Sequence, residues 1–131
     1  MPEGRARTVL AFDFGIKRIG VAVGEPELGT AHPLPAIASP GFDCISRLIS
    51  EWRPAKLVIG LPVAANREHP LAKRVERFAR QLEGRFRLPV ARVDERFSSV
   101  EAESRLRGMK KKSIDSVAAQ LLLEQYFDEA A

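Results

Sequence analysis

Residues 9–23 constrain the fold more than any other stretch. Val9, Leu10, Ala11 and Phe12 are four consecutive apolar residues, too short a run for a helix and suited to a buried strand. Asp13 ends the run. Gly15 and Gly20 then let the backbone double back through a tight basic connection at Lys17 and Arg18, and Ile19 to Val23 reads as the return strand. A carboxylate at a strand end, beside glycines and two cations, can hold a metal ion or meet a phosphate. It can equally cap the turn, with Lys17 and Arg18 as solvated hairpin charges. A motif this short does not separate the two.

The 131 residues match the size of one core, so a single domain over 1–131 is expected. With 45% hydrophobic and 29% charged residues, disorder is excluded. No apolar run approaches the roughly 20 residues that span a bilayer, and residues 1–7 lack the form of a signal peptide, so no membrane partner is expected. Cys44 is the only cysteine, which rules out an intrachain disulfide and suits a reducing cytoplasm. It reads as a helix packing residue, not a nucleophile. Lys and Arg number 21 against 17 Asp and Glu, a formal +4 that permits a nucleic-acid partner without requiring one. The basic residues gather at Lys17/Arg18, between Arg67 and Arg87, and at Lys110 to Lys112. Aromatics are few, which disfavours a base-stacking platform.

Further along, Gly29 to Ile37 reads as an edge strand, because Pro33 and Pro35 cannot donate to a central ladder. His32 within it reads as a surface side chain, with no second ligand at metal-site spacing. Phe42 to Trp52 carries Ile45, Leu48, Ile49 and Trp52 at helical spacing, with Asp43 in its first turn and Pro54 beyond its end. Leu57 to Gly60 is a buried-strand run, followed by a polar loop to His69. Pro70 to Gly84 predicts a helix with an apolar stripe at Leu71, Val75, Phe78 and Leu82. Its other face holds Lys73, Arg74, Arg77 and Arg80. Val90 to Val93 is a strand delivering Asp94, Glu95 and Arg96. A capping-box pattern at Ser98 and Glu101 starts a helix that Gly108 stops. Lys110 to Lys112 then reads as a basic turn before a last helix, which begins near Ser113 and has Asp115 in its first turn. Its buried face is expected at Ile114, Val117, Ala118, Leu121 and Leu122. Strands alternating with helices after a hairpin call for an α/β fold with parallel pairing.

Three places put acids where chemistry tends to sit: Asp13 and Asp94/Glu95 at strand ends, and Asp115 near a helix start. Sites in open α/β sheets form outside the carboxyl ends of the strands, where these acids can converge. Carboxylates without His or Cys favour a hard cation, Mg²⁺ or Mn²⁺, and two such ions can activate water for phosphodiester cleavage. Each acid also has a plain role. Asp115 suits a helix dipole, and Asp94 and Glu95 can pair with Arg92 or Arg96.

Four motifs, in order, resemble the YqgF/RuvX family. They are Asp13-x-Gly15-x-Lys17-Arg18-x-Gly20-Val21-Ala22, then Gly60-Leu61-Pro62, then Asp94-Glu95-Arg96-x-Ser98-Ser99-Val100-Glu101-Ala102, and last Asp115-Ser116-Val117-Ala118-Ala119. The resemblance implies a ribonuclease H-like fold, a mixed five-stranded sheet with helices on both faces. It also implies a bacterial cytoplasmic nuclease related to Holliday-junction resolvases and assigned to processing the 5′ end of precursor 16S ribosomal RNA. Carried over by position, the metal-binding acids are Asp13, Glu95 and Asp115, with Asp94 as a further catalytic candidate. Lys17, Arg18 and Arg96 would grip the scissile region, and Arg74, Arg77 and Arg80 would track the backbone more remotely. The chain departs from the family pattern in places. Residues after Pro62 lack the usual Asn and Gly turn, Ser98 and Ser99 replace two threonines, the segment from Gly108 to Asp115 is short, and Gly60-Leu61-Pro62 offers no acid.

Three classes of function compete at this point. A nuclease acting on precursor rRNA and a resolvase acting on branched DNA require the same acids, although a two-fold junction asks for a homodimer with paired sites. A nucleic-acid-binding module would keep the acids for structure and show no turnover. A nucleotide-binding domain is the third, but 131 residues leave little room for a second lobe.

Overall fold

In the computed structural model, which describes residues 7–61, 70–94 and 111–130, the apolar runs become the centre of one sheet. The elements in chain order are β1 (Val9–Asp13), β2 (Arg18–Glu25), β3 (Thr30–Ala38), α1 (Phe42–Trp52), β4 (Lys56–Leu61), α2 (Pro70–Phe86), β5 (Val90–Asp94) and α3 (Lys111–Ala130). The five strands lie in the order β3-β2-β1-β4-β5. β1 pairs antiparallel with β2, and β2 with β3, while β1 pairs parallel with β4, and β4 with β5. The sheet is therefore mixed, as expected, and β3 with its two prolines is an edge.

Alternation along the strands divides the core in two. Leu10, Phe12, Ile19, Val21, Leu57 and Ile59 point to one face, where Ile45 of α1 and Val75, Phe78 and Leu82 of α2 cover them. Val9, Ala11, Ala22, Val58 and Val93 point to the other, against Ala119, Leu122, Leu123 and Phe127 of α3. β1 and β4 are buried on both sides, so their sequences are continuously apolar instead of alternating. Phe12 is fully buried, and truncating it to Ala would cost about 3–5 kcal/mol.

The expected elements differ from the observed ones at several ends. α2 runs past Gly84 to Phe86 and stops where Arg87 takes φ 56°, its N–H bonded to the Glu83 carbonyl at 2.9 Å. Lys111 and Lys112 belong to α3 and not to a turn before Ser113. Asp115 is thus the fifth residue of α3 and lies beyond its first turn. Trp52 is 36% exposed, so the α1 stripe is carried by Ile45 with half-buried Leu48 and Ile49. On α3, Ala119, Leu123 and Phe127 join Val117, Leu121 and Leu122 in the core. The loop expected after Pro62 and the helix expected from Ser98 to Arg107 lie outside the described residues.

Candidate active site

Asp13 is the last residue of β1. Val9 and Ala11 face α3, so alternation assigns Asp13 to that face as well. The turn that follows is held from several sides. The Phe14 ring lies 4.9 Å from Phe78 of α2, centroid to centroid. A Cβ at Gly15 would collide with the Arg18 carbonyl oxygen, so the turn needs glycine there. The Ser39 N–H donates to the Lys17 carbonyl at 3.0 Å. Lys17 and Arg18 are exposed beside Asp13, with Arg18 opening β2 opposite Ala38. The β2–β3 register shifts between Ile19 and Val21. This places the extra residue of β3 at Pro35 and Ala36, opposite Gly20, which itself pairs with Asp13. Proline is tolerated at such a bulge because no ladder donor is required of it.

Asp94 ends β5 at the same edge of the sheet. Through β4, Phe12 aligns with Ile59 and Ile59 with Arg92. Asp13 is thus level with Val93, and Asp94 lies one residue further along and two strands away, about 10 Å laterally. Alternation assigns Asp94 to the α2 face, with Arg92, whereas Val93 faces α3. Asp94 and Asp13 therefore belong to opposite faces. Asp94 is exposed, and its carbonyl accepts a hydrogen bond from Gln125 of α3. Glu95 and Arg96 lie outside the described residues.

α3 runs antiparallel to β1, its early residues near the carboxyl end of that strand. Ser116 is 1% exposed, and its hydroxyl accepts the Val21 N–H at 3.2 Å. Val21 pairs with Phe12, the residue before Asp13. Asp115, next to Ser116 in the helix, is thereby carried on an element tied to the strand that pairs with β1, close to the end that bears Asp13. Among the described residues no three acidic, His or Cys side chains come together as a metal site. His32 is exposed and Cys44 is half-buried in α1, as expected of a surface residue and a packing residue.

Arg92 has a different partner from the one expected. Its guanidinium meets Glu83 at 2.7 Å and Glu76 at 2.8 Å, both on α2, and also donates to the Val90 carbonyl at 3.0 Å. These bonds hold Glu83 below the usual carboxylate range, chiefly through the hydrogen bond from Arg92, and raise Arg92 further above its ordinary value. The signal was present in the sequence: a lone arginine inside an apolar strand needs acids from the helix above it, and Glu76 and Glu83 are seven residues apart on one side of α2. Ser116 gave no such signal, since a serine beside an acid near a helix start is ordinary.

The basic residues of α2 are spread along its exposed side. Lys73, Arg74, Arg77 and Arg80 all face solvent, and Arg80 lies 3.6 Å from Glu76. Arg85 instead stacks on Phe42, with its guanidinium 4.0 Å from the ring centroid. A cleft of about 270 Å³ is lined by Arg7, Val9, Ala55, Lys56, Tyr126 and Phe127. It opens at the amino ends of β1 and β4, away from Asp13. No helix among the described residues is long and apolar enough to cross a membrane.

This arrangement has relatives. A protein of Methylobacillus flagellatus named "Putative pre-16S rRNA nuclease" is 52% identical, with 100% of this chain and 99% of the relative covered. A protein of the same name from Escherichia coli O157:H7 is 46% identical, covering 93% of this chain and 96% of the relative. Among solved structures, Thermus thermophilus RuvC in complex with a Holliday junction superposes with a TM-score of 0.55 at 16% identity, covering 94% of each chain. The fowlpox virus Holliday junction resolvase gives 0.58 at 12% identity, covering 93% of this chain and 99% of that one. At such identities the two structures support the fold alone, the ribonuclease H-like arrangement of a mixed five-stranded sheet with helices on both faces. The RuvX family, described as Holliday junction resolvase, matches residues 7–129. With that match across nearly the whole length, and relatives at about half identity from end to end, the chain belongs to the RuvX family.

Proposed function

We propose that this protein is a divalent-metal-dependent nuclease that hydrolyses phosphodiester bonds in structured RNA, and that its substrate is the 5′ end of precursor 16S rRNA in the cytoplasm. The observation that carries the reading is the hydrogen bond from the Val21 N–H to Ser116, the residue next to Asp115. It ties α3 to β2 at the residue paired with Phe12, one position before Asp13. The donors are all carboxylates, which fits a hard cation such as Mg²⁺ or Mn²⁺. Asp13, Glu95 and Asp115 would hold it. Such an ion, when bound, polarises the phosphate and lowers the pKa of water.

Glu95 takes this role in place of Asp94 for two reasons. Asp94 belongs to the α2 face, away from Asp13, and roughly 10 Å of sheet separates the two strands, a gap that suits the longer glutamate arm. Asp94 then serves the end of β5 through its backbone bond to Gln125. Lys17, Arg18 and Arg96 neutralise phosphates next to the scissile bond, and Arg74 and Arg77 extend the grip along α2. The names borne by the relatives at 46% and 52% identity favour rRNA as the substrate.

The family's description favours a second reading, cleavage of Holliday junctions, which would need a dimer to present two sites to a two-fold junction. One preparation assayed on precursor 16S RNA and on a synthetic four-way junction, each with Mg²⁺ or Mn²⁺, separates the two. Cleavage of the RNA that is lost in Asp13→Asn supports the nuclease reading. Nicking of the junction alone supports the resolvase. Binding of either without turnover in both metals assigns the chain to nucleic-acid binding.

A further inference from the structure

We propose that Ser116 is a positioning residue whose hydrogen bond to Val21 sets the distance between Asp115 and Asp13. The inference rests on the reading of those acids as cation ligands. Among the described residues only Thr8 and Ser116 are buried polar side chains, and a buried hydroxyl is costly unless it is bonded. Ser116 meets that requirement through the Val21 backbone, 95 residues away in sequence. The bond therefore ties the helix that carries Asp115 to the strand paired with β1, close to the end that carries Asp13. Ser116 adjoins Asp115, while Val21 pairs with Phe12 and neighbours Gly20, the partner of Asp13.

Elsewhere α3 touches the sheet mainly through Ala119, Leu122, Leu123 and Phe127, an apolar packing that tolerates small slides. A slide of one residue moves a helix about 1.5 Å and turns it about 100°, enough to take a carboxylate out of a coordination shell. Mg²⁺ asks for oxygens at about 2.0–2.1 Å in near-octahedral geometry, so small errors matter. Other polar ties from α3 to the sheet among the described residues are Gln120 to the Ala31 carbonyl at 3.0 Å, Gln125 to the Asp94 carbonyl, and the Tyr126 hydroxyl, which accepts from Lys56 of β4 at 2.8 Å. All three act a turn or more further along α3 from Asp115 than Ser116 does.

The test is direct Mn²⁺ binding to the full chain, followed by paramagnetic resonance without substrate, for wild type, Ser116→Ala and Ser116→Cys. Leu123→Val, adjusted by added urea to the same melting temperature, controls for general loosening. Ser116 bonds no ligand directly, so Ser116→Ala is expected to weaken Mn²⁺ binding by about tenfold, the lower end of the effect of losing an outer partner of a ligand. Leu123→Val should bind like wild type. Ser116→Cys keeps the volume with a weak acceptor and should fall between; it also carries the test if Ser116→Ala does not fold. Wild-type affinity in the folded Ser116 variants, or equal weakening in Leu123→Val, overturns the proposal. Asp13→Asn and Glu95→Gln serve as reference. If they abolish binding while Ser116→Ala does not, only the positioning role fails. If they too bind normally, the assignment of the acids fails first.

Discussion

Glu83 of α2 and Arg92 of β5 meet at 2.7 Å, and the same guanidinium reaches Glu76 at 2.8 Å. Two carboxylates thus grip one arginine and fasten the outer strand of the sheet to the helix above it. Because β5 is an edge and Glu95 follows it in the chain, the clamp would bear on the proposed site as well as on the fold. Arg92→Met keeps the length and removes the bonds, leaving two acids facing an apolar side chain. All three partners are partly exposed, so the expected effect is a modest lowering of the urea midpoint at pH 7. Arg92→Lys should recover only part of it, since an ammonium carries three donors on one atom and lacks the planar guanidinium that meets both carboxylates and the Val90 carbonyl at once.

The same clamp gives a pH dependence of definite sign. Glu83 is held below its ordinary value of 4.5, first by the hydrogen bond from Arg92 and against some desolvation. Its contribution is fully present above that value. As pH falls through 4.5 and on through the lower folded value, the unfolded chain takes up the proton first and the contribution is lost. Arg92 stays charged throughout. Urea unfolding from about pH 6 to about pH 3 should therefore show a shallower acid loss in Glu83→Gln than in wild type. Parallel curves would mean that the pair adds nothing to acid stability.

Much of the fold was legible because its signals are local. The run Val9 to Phe12, the prolines of β3 and the stripe Val75, Phe78, Leu82 each state a strand, an edge and a helix within a few residues. Helix ends were less legible. Gly84 suggested a stop, but a Cβ there would meet open space, and α2 simply continues to Phe86. The site was legible only as a set of acids at element ends. Which face Asp94 belongs to depends on the pairing of β5 with β4, and the fastening of α3 depends on a hydrogen bond across 95 residues. Neither is written in local pattern.

Asp13→Asn should remove metal-stimulated cleavage while leaving the urea midpoint near wild type. Asp115→Asn should do the same. Its dipole role was the main structural alternative, but α3 begins at Lys111, so Asp115 lies beyond the first turn, where such an effect fades. A clear loss of stability in Asp115→Asn with cleavage intact would restore that alternative.

Asp94→Asn and Glu95→Gln should separate. With its side chain on the α2 face, Asp94 can lose its charge without altering the ligands proposed for the cation. Cleavage by Asp94→Asn is expected to reach the wild-type rate at saturating Mn²⁺, and Glu95→Gln is expected to stay at background at every Mn²⁺ concentration. The reverse pattern would exchange their roles.

The arginines of α2 make the last prediction. Arg74 and Arg77 are exposed on successive turns, about 4.5 Å apart along the helix, and on the proposed reading they meet phosphates beyond the scissile one. Each phosphate left without its arginine should reduce the slope of log affinity against log salt by about 0.7 for a single strand and about 0.9 for a DNA-like duplex. The double variant Arg74→Gln with Arg77→Gln is therefore expected to lower the slope by roughly 1.4–1.8. Arg80 is already 3.6 Å from Glu76, which is shared with Arg92, so Arg80→Gln should change the slope less than either neighbour. Sequence preference should hardly move, because a grip on the phosphate backbone carries no base information. Binding titrations on precursor RNA across a salt series measure the double variant and each single one. An unchanged slope in the double variant would assign these arginines to a solvated helix face and leave Lys17, Arg18 and Arg96 as the whole of the grip.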